Sequence, residues 1–592
     1  MQSMRVYIRP PMAGWSVFTS TTTFSINMNN LDLDYDVFIA GSGPLGYFIL
    51  SLLYARQFSD LPALRATYAR QILETHESAR VLMVEVGAQE SPVVGMNLKN
   101  EVNEYLYSRK SSFMHIHFEQ FTAHIIRGAM QPMSIPPAGG FLSALQGDAW
   151  SQPEGRSSVA SPYNPDQDHT QALGYGAVTR TVGGMSTHWT CCCRRFYTEP
   201  HDDELIQSPI ERSEMRKLLE RGKKLLNVHT DQFDTSIRHQ LVKKALTDAY
   251  QSRGINATNL PLAAERSKVN DTLIDWSGMN TVLGKFIDAK DAFGRNRFKL
   301  LTEYLVVKFE ADPDVPGKIK SALVRNLRTR KEEEIKAKVF IATCGVICTP
   351  QLLWNSGIRH KALGCFLTGH SHSFCQVVFR KTLLDTLKTN SSTNSDPNDE
   401  IPIPLDDLEP QVGIPYSPSH PFHTQFHRDA FSYGDVGPQI DQRVVLDIRY
   451  FCMLEVQESN RISFATEDLL GRPNTDIYGM PQPTVMMKEM CEAANILGSY
   501  LPSRDSDFFL RQPLGIHTIG STRIGNDSNT SVADKNSRVR TEKGDSVYSN
   551  LWVGGPNCIP DSTVSNPTLT AVSAVAYALQ GADDVLRVLQ AT

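Results

Sequence analysis

Apolar residues along this chain gather into short runs that stop on glycines or polar residues, and several of these runs lead into a helical pattern. The first is β-rich, "YDVFIA" from Tyr35 to Ala40, and it passes straight into Gly41, Gly43 and Gly46. "TYARQILETHESA" then reads as a helix and "RVLMVEVGA", with Glu85 inside it, as a second strand. Between Gly46 and that helix lies "YFILSLLYARQFSDLPALRA", where Pro62 breaks any single helix spanning the interval. Lys336 to Ile358 reads as a buried strand, a turn of small residues and a helix opened near Pro350, since proline favours the first helical position. Thr386 to Pro418 is polar and proline-rich, the composition of an exposed excursion or a subdomain linker. The C-terminal pattern is again strand, glycine turn and loop, followed by a long helix opened by Pro567 after Asn566.

Length changes this picture first: 592 residues exceed the ~100–200 of one domain, so two or more joined units are expected. The net charge of −5, with both signs scattered, points away from nucleic acid and anionic membranes and toward small-molecule chemistry. Tyr47 to Ala55 is about half of the ~20 apolar residues a membrane span needs. The leader lacks the continuous apolar stretch of a secretory signal, so an intracellular location is expected. Ten cysteines fit a reducing compartment, and the contiguous Cys191, Cys192 and Cys193 suit neither a disulfide framework nor a metal site.

Gly41, Gly43 and Gly46 form a GxGxxG fingerprint in its proper place, between strand and helix. The first glycine allows the tight turn, the second lets a pyrophosphate approach the backbone, and the third permits close helix packing. Its acidic partner, the ribose-binding residue, is expected about 20 positions on. Glu85 lies 44 positions after Gly41, which implies an insertion near 47–66.

Four stretches, "GSGPLG", "GGMSTHW", "GVICTPQLLWNSGI" and "SNPTLTAVSAVAYA", together resemble the glucose-methanol-choline (GMC) family of flavin oxidoreductases. "FHTQFHRDAFSYGDV", "GMPQPT" and "PLGIHTIGSTRIG" extend the resemblance toward its sugar-oxidising members, over almost the whole chain from Asp34 to Leu589. The resemblance implies an α/β fold: a Rossmann-like FAD-binding domain built from discontinuous segments, with a β-sheet substrate-binding domain. After a leader (1–33), FAD-binding segments are expected at 34–200, 286–360 and 511–592. A helical substrate-domain segment falls at 201–285 and the substrate-binding domain at 361–510, with its excursion near 386–418.

The resemblance also assigns roles. FAD is the cofactor, cradled by Gly183, Gly184, Trp189, Thr190, Asn566 and Thr568 in addition to the fingerprint, and His188 is its covalent tether. His517 is the base that takes the hydroxyl proton, a role suited to an unperturbed pKa near ~6.5. Asn566 bonds the same hydroxyl, while Gln425, Asp429, Phe431, Tyr433 and Arg449 receive the substrate. Without the resemblance His188 reads as a structural histidine, Asn566 as a helix N-cap, and Arg449 as a surface strand residue. The implied reaction is oxidation of an aldopyranose such as D-glucose at C2, with hydride passing to flavin, electrons to O2 and release of H2O2, in a homotetramer. Two alternatives stay open, a GMC dehydrogenase acting on another sugar-like alcohol with a quinone acceptor, and a paralogue without turnover. Three departures from the family pattern bear on that choice: the insertion after Gly46, a shortened segment after Thr484, and Thr522 where a second histidine is usual.

Overall fold

The computed structural model describes residues 35–42, 66–89, 93–100, 130–132, 177–179, 181–187, 189–194, 208–388, 399–428, 440–464, 474–476, 484–500, 517–564, 566 and 572–591. The leader, Gly43, Gly46 and all but the last residue of the expected insertion lie outside them. In chain order the elements that position the site begin with β1 (Tyr35–Ala40), α1 (Ala66–Thr75), β2 (Val81–Glu85), α2 (Arg212–Leu225) and α3 (Ile237–Tyr250). Next come β3 (Thr258–Asn259), β4 (Phe298–Thr302), β5 (Tyr304–Ala311), β6 (Ile319–Asn326), β7 (Glu332–Ala342) and α4 (Gly345–Asn355). They continue through β8 (His370–Phe379), β9 (Gln411–Gly413), β10 (His423–His427), β11 (Val445–Met453) and α5 (Thr484–Leu497). The last are β12 (Gly498–Tyr500), β13 (Arg538–Arg540), β14 (Val547–Val553) and α6 (Val572–Ala591).

β1 and β2 are apolar on both faces, as strands in the middle of a parallel sheet must be, and Val37 to Ala40 are wholly buried. The parallel strands run β4-β2-β1-β7-β14. β7 serves two pairings: its charged first half is antiparallel to β6, and its apolar second half, Ala337–Ala342, is parallel to β1. This sheet therefore draws strands from three separated stretches of sequence. α6 packs against α1 and α2 beside it.

The second sheet is antiparallel, in the order β12-β8-β11-β10-β9-β3. Its residues alternate between two faces with the period of 2 that a pleated strand imposes. Cys375, Val377, Phe426, Leu446, Ile448 and Tyr450 form a core with Leu241 and Val242 of α3 and Met486 and Met490 of α5. The opposite face is different in kind. There the register sets His423 beside Phe451 and Gln425 beside Arg449, with His370 beside Met453 on the neighbouring strand pair.

Two expectations are corrected. α4 starts at Gly345, so Pro350 lies inside the helix rather than at its first turn. An interior proline leaves the carbonyl four residues back without its N–H partner; here that carbonyl belongs to Val346, and the Ser521 hydroxyl donates to it. The stretch 386–418 is no exposed excursion in its described part: β9 and Ile403 are buried, and Asp407 forms a buried ion pair with Arg238 at 3.3 Å. Apolar Val412 and Ile414 draw this part of the stretch into the core of the second sheet. Among the described residues no helix is long and apolar enough to cross a membrane.

Candidate active site

Where β1 ends, Gly41 takes φ 94°, a left-handed conformation that favours glycine, and a Cβ there would stand 2.9 Å from the Thr343 carbonyl oxygen. Ser42 follows and donates to one oxygen of Glu85 from both its backbone N–H (2.7 Å) and its hydroxyl (2.5 Å). Glu85 is buried at the end of β2, and its other oxygen accepts from the Gly87 N–H at 2.9 Å. The Ser42 hydroxyl oxygen in turn accepts from the Gly183 N–H at 3.2 Å, so two glycine turns far apart in sequence meet at one acidic residue. Gly183 and Gly184 both have positive φ, and the Val182 N–H donates to the Ala88 carbonyl, fixing the second turn beside β2. A buried carboxylate and a side-chain-free turn at the carboxyl ends of adjacent parallel strands are the features that receive the ribose and pyrophosphate of a dinucleotide, so these residues fit FAD.

Beyond the glycines, Trp189 donates from its indole N–H to the Ser277 carbonyl at 2.8 Å, and Thr190 is half-buried. The next three cysteines are free and buried. Burial pushes the Cys191 thiol up to about 12 and the Cys192 thiol up to about 11, which removes the thiolate a nucleophile requires. Gly43, Gly46, His188 and Thr568 lie outside the described residues, as do Asp429, Phe431 and Tyr433.

The reacting end is built where the two sheets join. The segment after His517 bridges to the start of β8 through reciprocal backbone bonds between Thr368 and Ile519 (3.0 and 2.9 Å). It also bonds to the loop after β14, through Thr522 N–H to Asn557 carbonyl and Ile524 N–H to Cys558 carbonyl, both 3.0 Å. The loop after β14 also carries Asn566. His517 and Asn566 are thereby brought together, with Asn566 Nδ2 3.4 Å from His517 Nε2. Gln425 reaches them from β10, donating to Asn566 Oδ1, and its amide nitrogen also lies 3.0 Å from His423 Nε2. Arg449 is buried opposite Gln425 on β11, a correction to its reading as a surface residue. Thr522, at the place of the usual second histidine, is wholly buried and accepts from Asn557 Nδ2 at 2.6 Å.

Two more histidines stand in this group, and sequence reasoning did not single them out. His370 Nε2 lies 2.6 Å from His517 Nδ1, and His423 stacks on Phe451 with centroids 5.6 Å apart. For His423 the available signal was the period of 2 in "HTQFH", which places it on the face of Gln425. Burial holds His517 well below the usual histidine range, and His370, Arg449 and His423 push it the same way. A neutral imidazole between an amide and a second neutral ring is equipped to accept a proton.

In fold, the chain is similar to the formate oxidase of Aspergillus oryzae, a protein studied for modification of its FAD: TM-score 0.59 at 13% identity, covering 94% of this chain and 98% of that one. At that identity the likeness is one of fold. In sequence the chain is 40% identical to a pyranose 2-oxidase of Tricholoma matsutake over 94% of both chains. It is 34% identical to that of Lyophyllum shimeji over 94% of this chain and 92% of its relative. No protein-family model matches. The chain belongs to the pyranose 2-oxidases of the GMC family, FAD-dependent oxidoreductases acting on CH–OH groups.

Proposed function

We propose that the protein oxidises an aldopyranose such as D-glucose at C2, giving the 2-keto sugar. The observation that carries this reading is the His517–Asn566 pair, closed on one side by Gln425 and Arg449 from the buried polar face of the second sheet. His517 Nε2 takes the proton of the C2 hydroxyl. Asn566, with a donor and an acceptor on one amide, holds the hydroxyl oxygen as negative charge grows on it. Gln425 and Arg449 orient the sugar ring, helped by Asp429, Phe431 and Tyr433. FAD, when bound, supplies the hydride acceptor, and its reoxidation by O2 yields H2O2.

His188 is the covalent tether in this reading. Acid precipitation of the holoenzyme is expected to leave the yellow colour in the pellet, and His188→Ala to release it to the supernatant. Turnover of D-glucose with one H2O2 per sugar, and a product whose 13C spectrum places the ketone at C2, tests the reaction itself. A ketone at another carbon, or turnover only with a quinone, overturns it.

A further inference from the structure

We propose that His370 is the positioning residue of the base: it holds His517 in the one neutral tautomer whose Nε2 is able to take the substrate proton. The proposal rests on the reading of His517 as that base.

The two rings meet edge to face, with Nε2 of His370 2.6 Å from Nδ1 of His517 and ring planes at 85°. A contact this short requires one proton between the nitrogens, because two lone pairs repel and two N–H groups collide. The Asn566 amide decides which ring owns that proton: its Nδ2 faces His517 Nε2, so the single proton of a neutral His517 sits on Nδ1 and points at His370. His370 Nε2 is then the acceptor, and His517 Nε2 is left unprotonated.

The network beyond Asn566 has the same polarity. The Gln425 amide nitrogen serves both Asn566 Oδ1 and His423 Nε2. With its oxygen accepting, Asn566 presents Nδ2 to His517 Nε2, and only an unprotonated nitrogen accepts it. His370 stays neutral because it is buried and packs on Phe451 with ring centroids 4.7 Å apart; desolvation lowers its pKa to about 4. Among the described residues His370, Arg449 and His423 bear on His517, and each disfavours its protonated form. Loss of His370 leaves the Nδ1 proton without its acceptor. The ring then shifts toward the tautomer that carries its proton on Nε2, where the base must be bare.

His370→Leu removes the acceptor at similar volume, whereas His370→Gln restores one through its amide oxygen. In holoenzyme, His370→Leu is expected to lose about 10- to 100-fold in kcat, part of what a general base supplies, with sugar KM within about threefold. His370→Gln should stay within about fivefold of the original kcat. Nitrogen-15 NMR of histidine-labelled protein reads the tautomer directly: Nδ1–H at His517 in the original protein and in His370→Gln, a mixture in His370→Leu. The proposal is overturned if His370→Leu turns over normally, if His370→Gln is as slow as His370→Leu, or if His517 in the original protein carries its proton on Nε2. That last reading decides even where the leucine variant does not fold. His517→Ala separates the two levels: undiminished turnover there removes the base itself, whereas loss there with none in His370→Leu removes only the positioning role.

Discussion

At His517 burial and the Arg449 guanidinium act in one direction, both favouring the neutral ring. A base must be neutral to accept a proton, so activity disappears as pH falls through its folded-state pKa. The acid limb of kcat/KM should therefore lie below the ordinary histidine value of ~6.5, with a flat profile through pH 7. A limb at or above 6.5 would mean that a different group is titrating. His517→Ala should cost roughly 10²- to 10⁴-fold in kcat. His517 and Asn566 were legible in the sequence because long motifs carry them. His370 was not, since "TGHSHSF" offers two histidines of equal standing. The choice between them is made by the Thr368–Ile519 bridge, which brings the start of β8 to His517. The burial of Arg449 was equally hidden, because it depends on the β10–β11 register and not on neighbours in sequence.

At the scale of elements, α1 and α6 approach so closely that Gly581 of α6 has no room for a side chain. A Cβ there would fall 2.1 Å from the Tyr68 hydroxyl, which itself donates to the Val553 carbonyl at 3.1 Å. Glycine to alanine inside a helix ordinarily stabilises by about 1 kcal/mol. Gly581→Ala should instead lower the unfolding midpoint in guanidinium, and adding Tyr68→Phe should recover part of the loss; a raised midpoint in the single variant contradicts this packing. The sequence placed β1, α1, β2, the C-terminal strand and the body of the C-terminal helix correctly, because each has a continuous pattern; the expected opening of that helix at Pro567 lies outside the described residues. The sequence misplaced the start of α4, since the compensation for Pro350 comes from Ser521, 171 positions away. Ser521→Ala leaves the Val346 carbonyl unpaired and should destabilise by about 1–3 kcal/mol in the same assay.

For the molecule as a whole, buried histidines held neutral make stability depend on acid. His370, His423 and His517 all have folded pKa values lowered chiefly by burial, that of His370 to about 4. Below the unfolded value of ~6.5 the unfolded chain binds protons that the folded chain refuses, so stability falls as pH drops from 6.5 toward 4. For His370 alone the loss is on the order of 3 kcal/mol. Denaturant unfolding at pH 7 and pH 5 checks this, with His370→Gln expected to lose less than the original protein. The measurement that bears most directly on the central claim is anaerobic mixing of holoenzyme with D-glucose while the flavin absorbance is followed. Rapid bleaching in the original protein and loss of it in His517→Ala is the predicted result. Equal bleaching in both, or none with any aldopyranose, would contradict the assignment of His517 as the base of sugar oxidation.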